Sequence, residues 1–178
     1  MNYPSFKTNP HVGPSRINKA SMSTRRRSKS REVALQVLFQ FECPRRSPFL
    51  FEGFLGERLK EDQQRVFCRQ LIMGTRAHHR EIDERIRSAA ENWRLERMTG
   101  VDRNIIRMGA FELLFQPDTS GCVIVDEALE LAKKFGSADS TKFVNGVLDR
   151  LWRGIPGRIG ELAQKVPESL VSVGENGG

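Results

Sequence analysis

The sequence has no apolar run near the roughly 20 residues that a membrane-spanning helix requires, so we expect no transmembrane segment. Its start also lacks the apolar stretch and small-residue cleavage site of a secretory signal peptide. The three cysteines, Cys43, Cys68 and Cys122, are widely separated and have no close cysteine or histidine that would complete a zinc site. We therefore expect reduced thiols, no bound metal and a cytoplasmic location.

Motifs for catalysis are missing as well. The chain has no phosphate-binding loop, no glycine-rich dinucleotide fingerprint and no HExxH pattern. Its histidines are His11 and the adjacent pair His78 and His79, which we interpret as part of a polar loop or an RNA contact rather than as a catalytic base. Acidic residues alternate with basic ones in 80–87, which is typical of a solvated helix face. We expect a protein that is not an enzyme and uses no cofactor.

Positive charge is concentrated at one end of the chain. Residues 1–31 contain eight Lys and Arg and no acidic residue, whereas the remainder is nearly balanced, so the formal net charge of +7 lies wholly in this N-terminal region. Binding to a polyanion releases condensed counterions, which makes a nucleic acid the obvious partner. A solvated basic tail is the alternative that composition leaves open.

Apolar residues recur at spacings of three and four through most of the chain, and no stretch alternates convincingly with period two. This pattern predicts an all-α fold of about seven helices. The predicted helices span 30–42, 49–59, 62–76 and 80–93, followed by a fifth that Thr99 would begin, a sixth over 123–135 and a seventh that begins near Asp139 or Ser140.

The predicted domain boundaries follow from composition. Residues 25–153 form the helical domain, because they carry the apolar periodicity. Residues 1–24 are predicted to be a flexible basic extension and residues 154–178 a flexible C-terminal tail, since Gly, Pro and polar residues dominate both ends.

Several single positions carry further expectations. In the first helix, Leu35 and Phe39 stand beside the main apolar stripe and form a second strip that a partner could cover. Val66 is predicted to face inward in the third helix. Gly136 would end the sixth helix in a left-handed conformation, and Asp139 is interpreted as an ordinary N-cap of the seventh.

Two stretches resemble the NusB family. The first is RRRSKSREVALQVLF over 25–39, in which an arginine-rich start runs directly into the first helix. The second contains, in order, IIRMGAFEL, VDEALELAKKFG and KFVNGVLD within 101–150. This ordered combination is specific, and the resemblance spans about residues 25–151.

The resemblance implies two small helical bundles and a role in processive transcription antitermination, notably on ribosomal RNA operons. Members of the family bind the boxA sequence of nascent RNA together with NusE, which is also a small-subunit ribosomal protein. The complex then joins elongating RNA polymerase with other Nus factors. Neither catalysis nor a cofactor is implied.

The resemblance also implies roles for individual residues. The RNA contacts carried over by position are Arg25, Arg26, Arg27, Lys29 and Arg31, with a second patch at Lys142, Phe143 and Asn145. Arginine suits this role because its guanidinium bonds phosphate bidentately and stacks on unpaired bases. Phe143 could stack on RNA or fill the core.

The positions that match the NusE face are Phe39, Asp102 and Glu127. Asp102 departs from the Glu often found there, which keeps the charge but shortens its reach. Glu127 could equally be a plain surface residue.

Two other functions stay open at this point: a protein-only adaptor, and an RNA-modifying enzyme, since some ribosomal RNA cytosine methyltransferases carry a NusB-like domain. The chain lacks the glycine-rich loop that such an enzyme needs.

Overall fold

The computed structural model describes residues 24–43, 51–89 and 98–156, with side chains from Arg26 onward. Within these ranges the chain forms seven helices and no strand, which confirms the predicted all-α class. The helices are α1 (Thr24–Glu42), α2 (Phe51–Arg58), α3 (Asp62–Ala77), α4 (His79–Ala89), α5 (Gly100–Phe115), α6 (Gly121–Phe135) and α7 (Ser140–Arg153). The two predicted terminal extensions lie almost entirely outside the described residues.

The helices form two groups that share α5. In one group α1 packs against α3 and α5, with α2 at its edge, and in the other α4, α6 and α7 pack against α5. Because α5 has neighbours on both sides, it is buried around most of its circumference, as at Ile105, Ile106 and Leu113. None of the helices in the described ranges is both long and apolar enough to cross a membrane.

Close helix contacts in the second group depend on glycines. A Cβ atom at Gly109 of α5 would lie 3.0 Å from Cδ1 of Leu148 in α7, and one at Gly121 of α6 would lie 2.3 Å from Cε2 of Trp152. The absence of a side chain thus allows α5 and α6 to approach α7 closely. This packing fixes the position of the α7 surface.

The first helix differs from the prediction in two respects. It begins at Thr24 rather than at Ser30, so the arginine-rich segment is part of the helix. Leu35 is buried, which leaves Phe39 as the exposed member of the predicted second strip. The reason is that α1 lies between α3 and α5 and is covered on two sides.

Three single positions, in α3 and at the ends of α5 and α6, also carried predictions. Val66 is exposed, because it lies one residue outside the buried series of α3 that runs through Phe67, Leu71 and Thr75. Gly136 ends α6 as predicted but has a φ of −90°, so it is not left-handed. Its lack of a side chain instead permits a close approach to Ser140. The Thr99 cap is confirmed, since its hydroxyl accepts a bond from the Asp102 amide at 3.1 Å.

Candidate nucleic-acid interface

Residues 26–31 of α1, which we call the arginine turn, present two cations to solvent. The Arg26 side chain is exposed and its Nη1 lies 2.7 Å from Oε2 of Glu61. The Lys29 Nζ lies 3.0 Å from Oε1 of Glu32. The exposed Arg26–Glu61 pair exchanges readily for a phosphate contact, because such pairs contribute little stability. The backbone of Arg25 belongs to α1, but its side chain lies outside the described residues.

Arg31 is not on the surface. Its side chain is 2% exposed and makes a bidentate pair with Glu112 of α5, with Nε to Oε1 at 2.9 Å and Nη2 to Oε2 at 2.6 Å. Its Nη1 also lies 3.3 Å from Oε2 of Glu127 in α6. An RNA contact by Arg31 would require breaking this pair, and that role stays a prediction.

The charge state of Arg31 is secured by its partners. Burial by itself lowers the pKa of the guanidinium, but the hydrogen bonds and negative charges of Glu112 and Glu127 outweigh burial and raise the pKa above its ordinary value. The arginine therefore stays charged inside the protein. It is a structural cation that links three helices.

Two further residues of the arginine turn point to the same interior. The Ser28 hydroxyl donates to Oε1 of Glu127 at 2.7 Å. The Arg27 guanidinium lies 5.1 Å from the centre of the Phe67 ring, a cation–π contact, and donates to the Thr119 hydroxyl at 3.5 Å. Arg27 is half-buried and engaged with Phe67 and Thr119, so Arg26 and Lys29, whose side chains are 47% and 42% exposed, are the more accessible cations.

A groove of about 750 Å³ lies between the arginine turn, α3 and α6. Its rim includes Lys133 and Lys134 of α6, which sequence reasoning did not assign to RNA. Lys134 bridges α6 to α1, because its Nζ lies 2.7 Å from Oε2 of Glu32. Burial raises the pKa of Glu32, but hydrogen bonds from Lys134 and Lys29 outweigh burial and the net pKa is lowered. The two lysines extend the basic surface of the arginine turn across to α6.

The second predicted RNA patch lies on α7, and we call Lys142, Phe143 and Asn145 the α7 face. Lys142 and Asn145 are exposed, whereas Phe143 is half-buried and packs against the core. Lys142 and Phe143 line a shallow groove of about 400 Å³ together with Arg150. This position is compatible both with RNA stacking by Phe143 and with a role in the core.

Asp139 occupies the N-cap position of α7 but does not act as a side-chain cap. Its φ and ψ are −91° and −11°, which are helical, and its carboxylate makes no capping hydrogen bond. Capping normally needs a non-helical residue whose side chain reaches back to the first free amides. The carboxylate instead lines the groove of the α7 face.

The residues predicted to bind NusE fall in two places. Phe39 is 36% exposed and lies against Gly100 at the start of α5, the helix whose first turn contains Asp102. Asp102 is buried, and its Oδ1 has no hydrogen-bond partner among the described residues. The positive end of the α5 dipole favours this carboxylate. Glu127 lies apart from them, beside the arginine turn.

The predictions about thiols and metals concern other parts of the structure. Cys68 is buried, and burial raises the pKa of its thiol to about 12. All three cysteines are free. In the part of the chain that the structure describes, His, Cys, Asp and Glu form no cluster that could hold a metal ion.

Comparison with known proteins gives a consistent result. The family model described as "NusB family" matches residues 28–153. The transcription antitermination protein NusB of Sorangium cellulosum is 46% identical over 126 residues, which cover 70% of this chain and 90% of the relative. The corresponding protein of Desulforamulus reducens is 44% identical and covers 70% of this chain and 88% of its own length.

Solved structures of NusB proteins have a similar fold. The structure of T. maritima NusB has a TM-score of 0.66 and 34% identity, and covers 77% of this chain and 96% of its own. The structure titled "Crystal Structure of Antitermination Factors NusB and NusE in complex with dsRNA" also has a TM-score of 0.66, with 27% identity, and covers 74% of this chain and 98% of its own.

Proposed function

The chain belongs to the NusB family, and we propose that it is a transcription antitermination factor that binds boxA-like single-stranded RNA together with NusE. The complex then joins elongating RNA polymerase with other Nus factors. Relatives carry the name of transcription antitermination protein, and one solved relative was determined with NusE and RNA. We further propose that the protein acts in the cytoplasm by binding alone, without catalysing a reaction.

The observation that carries the proposal is the surface of the arginine turn. Arg26 and Lys29 are exposed there, and the same groove is flanked by Lys133 and Lys134. Four cations along one groove suit a phosphate backbone, since binding releases the counterions condensed on it. The acidic partners of Arg26 and Lys133 are exposed carboxylates that RNA phosphates can replace, whereas Glu32, which pairs with Lys29 and Lys134, is 16% exposed.

The α7 face is the proposed second contact. Lys142 supplies a cation and Asn145 can read a base edge, and a half-exposed Phe143 ring can stack on an unpaired base. We propose residues 25–153 as the RNA-binding domain. The flexibility of residues 1–24 and 154–178 stays a prediction.

For the protein partner, we propose that NusE contacts Phe39 and the neighbouring first turn of α5, which contains Asp102. Phe39 is an exposed aromatic side chain, of the kind that anchors protein interfaces. Asp102 contributes through its carboxylate when the partner brings a cation. Glu127, which is already engaged with Ser28 and Arg31, stays a weaker candidate for this face.

The proposed function is tested by titrating a labelled boxA-like RNA with the unaltered protein and with Arg26→Ala/Lys29→Ala, with and without NusE, over a salt series. Loss of two phosphate contacts should reduce the slope of log K against log salt by about 1.4 for single-stranded RNA. NusE should tighten binding of the unaltered protein.

The matched control is Arg85→Ala/Arg87→Ala, which removes the same charge from exposed positions of α4. This variant should keep the full salt slope. Equal effects of the two double substitutions would mean that net charge, not the arginine turn, binds RNA. A protein that binds NusE but no RNA would be a protein-only adaptor.

A further inference from the structure

The arginine turn is held in place by contacts to three other helices. From α3, the backbone carbonyl of Gln64 accepts from the Ser30 hydroxyl at 3.1 Å, and the side-chain amide of Gln64 donates to the Arg26 backbone carbonyl at 3.4 Å. From α5, Glu112 binds Arg31 in a bidentate pair. From α6, Glu127 binds both Ser28 and Arg31. The turn therefore has fixed partners on every helix that surrounds it.

These contacts are needed because the turn is a poor helix start by itself. The first turn of α1 contains no acidic residue, and the positive end of the helix dipole repels the cations that are there. The first turns of an isolated helix also form at a high entropic cost. Repulsion among the cations of the arginine turn, and their position at the positive end of the helix dipole, both favour fraying of the helix. Tertiary contacts must offset these effects.

We propose that Glu112 and Glu127 are positioning residues for RNA binding: through Arg31 and Ser28 they hold the arginine turn in the helical form that keeps Arg26 and Lys29 on one surface. This inference rests on the proposed function. Glu112 lies in the interior at 2% side-chain exposure, and Glu127, at 12%, lines the groove beside the arginine turn. Their negative charge disfavours direct contact with phosphate, so both act on the arrangement of the cations.

The sign of the effect separates positioning from simple electrostatics. Replacing Glu112 by Gln removes one negative charge, so a charge-based account predicts tighter binding to RNA. Loss of positioning predicts weaker binding, because the apparent affinity falls with the fraction of molecules in the binding-competent form. If that fraction falls to a tenth, the dissociation constant rises about tenfold.

The experiment compares Glu112→Gln with Glu130→Gln in RNA titrations, at a temperature where circular dichroism shows both variants folded. Glu130 lines the same groove and pairs with Lys133, but it makes no hydrogen bond or ion pair with the described residues of the arginine turn. Both variants gain the same charge. We expect weaker binding, by about tenfold, for Glu112→Gln and unchanged or tighter binding for Glu130→Gln. Unchanged or tighter binding by Glu112→Gln would overturn the proposal.

Two further measurements test the positioning role even if Glu112→Gln does not fold. Ser28→Ala removes the hydroxyl bond to Glu127 without changing any charge, and it should weaken RNA binding in the same direction but less. In the unaltered protein, the amides of residues 29–31 should exchange hydrogen as slowly as those of α5. Fast exchange at these amides, or RNA binding unaffected by Ser28→Ala, would contradict positioning.

Failure of this inference differs visibly from failure of the proposed function. If the unaltered protein does not bind the RNA, the proposed function fails and positioning for RNA fails with it. If the unaltered protein binds with the expected salt dependence and Glu112→Gln binds equally well, the function stands and only the positioning role is lost.

Discussion

The arginine turn and the α7 face are both predicted RNA surfaces, but they are held in place by different forces. The arginine turn rests on a buried cation, Arg31, and the carboxylates around it. The α7 face rests on apolar packing, in which Val144 and Leu148 are fully buried and Leu148 lies against Gly109.

The difference determines how each surface tolerates change. Apolar packing is non-directional, and its cost on truncation follows the volume removed. A buried ion pair is directional, and removal of one partner leaves the other charged group without compensation. A substitution beneath the arginine turn should therefore disturb the surface more than one of similar size beneath the α7 face.

The largest effect is expected for Arg31→Ala. This change leaves Glu112 buried without its counter-charge, so the free energy of unfolding should fall by about 3–5 kcal/mol in urea denaturation. The double variant Arg31→Met/Glu112→Leu removes both charges and should cost much less than the single one. If the double variant were as unstable as Arg31→Ala, packing rather than charge would hold the turn, and the contrast between the two surfaces would disappear.

Beneath the α7 face, Leu148→Ala should lower the free energy of unfolding by about 2–5 kcal/mol, because it leaves a cavity beside Gly109. Asn145→Ala, an exposed position on the same helix, should stay within about 0.5 kcal/mol in the same denaturation experiment. A small effect of Leu148→Ala would show that α7 does not depend on this contact.

Phe143→Leu decides whether the Phe143 ring stacks on RNA or fills the core. We expect stability to change by less than about 1.5 kcal/mol, since leucine retains most of the apolar contact. RNA affinity should fall by about 1 kcal/mol or more, roughly fivefold, because the stacking ring is lost. A drop in stability with unchanged RNA affinity would make Phe143 a core residue and confine RNA stacking to other positions.

The smallest effect concerns pH. The pKa of Glu32 is lowered in the folded protein, so its bonds to Lys134 and Lys29 contribute stability above the ordinary carboxyl pKa of about 4.3, and this contribution is lost as the pH falls through the lower folded value. Glu32→Gln should therefore flatten the decrease in stability between about pH 5 and pH 3. Lys134→Ala should flatten the same decrease, and an unchanged slope in both variants would exclude this linkage.

Helix positions were predicted well wherever spacing alone decides burial. The apolar spacing predicted the bounds of α3 and α6 to within two residues, and the Thr99 cap was predictable because it depends on residues three apart. The predictions for Val66 and Leu35 were wrong for opposite reasons. Val66 was predicted to face inward but lies just outside the narrow buried stripe of α3. Leu35 was predicted to be available to a partner but is buried, because neighbouring helices cover α1 on two sides.

The amino-acid sequence suffices to predict the helical class, the family and the concentration of positive charge at one end, because all three follow from residue order and short spacings. It could not distinguish Arg31, the buried structural arginine of the arginine turn, from the exposed Arg26. Arg31 differs from Arg26 through Glu112, which is 81 residues away along the chain, and through Glu127 on another helix. Burial of a charge depends on the partner that compensates it, and only the tertiary structure brings that partner within hydrogen-bond distance.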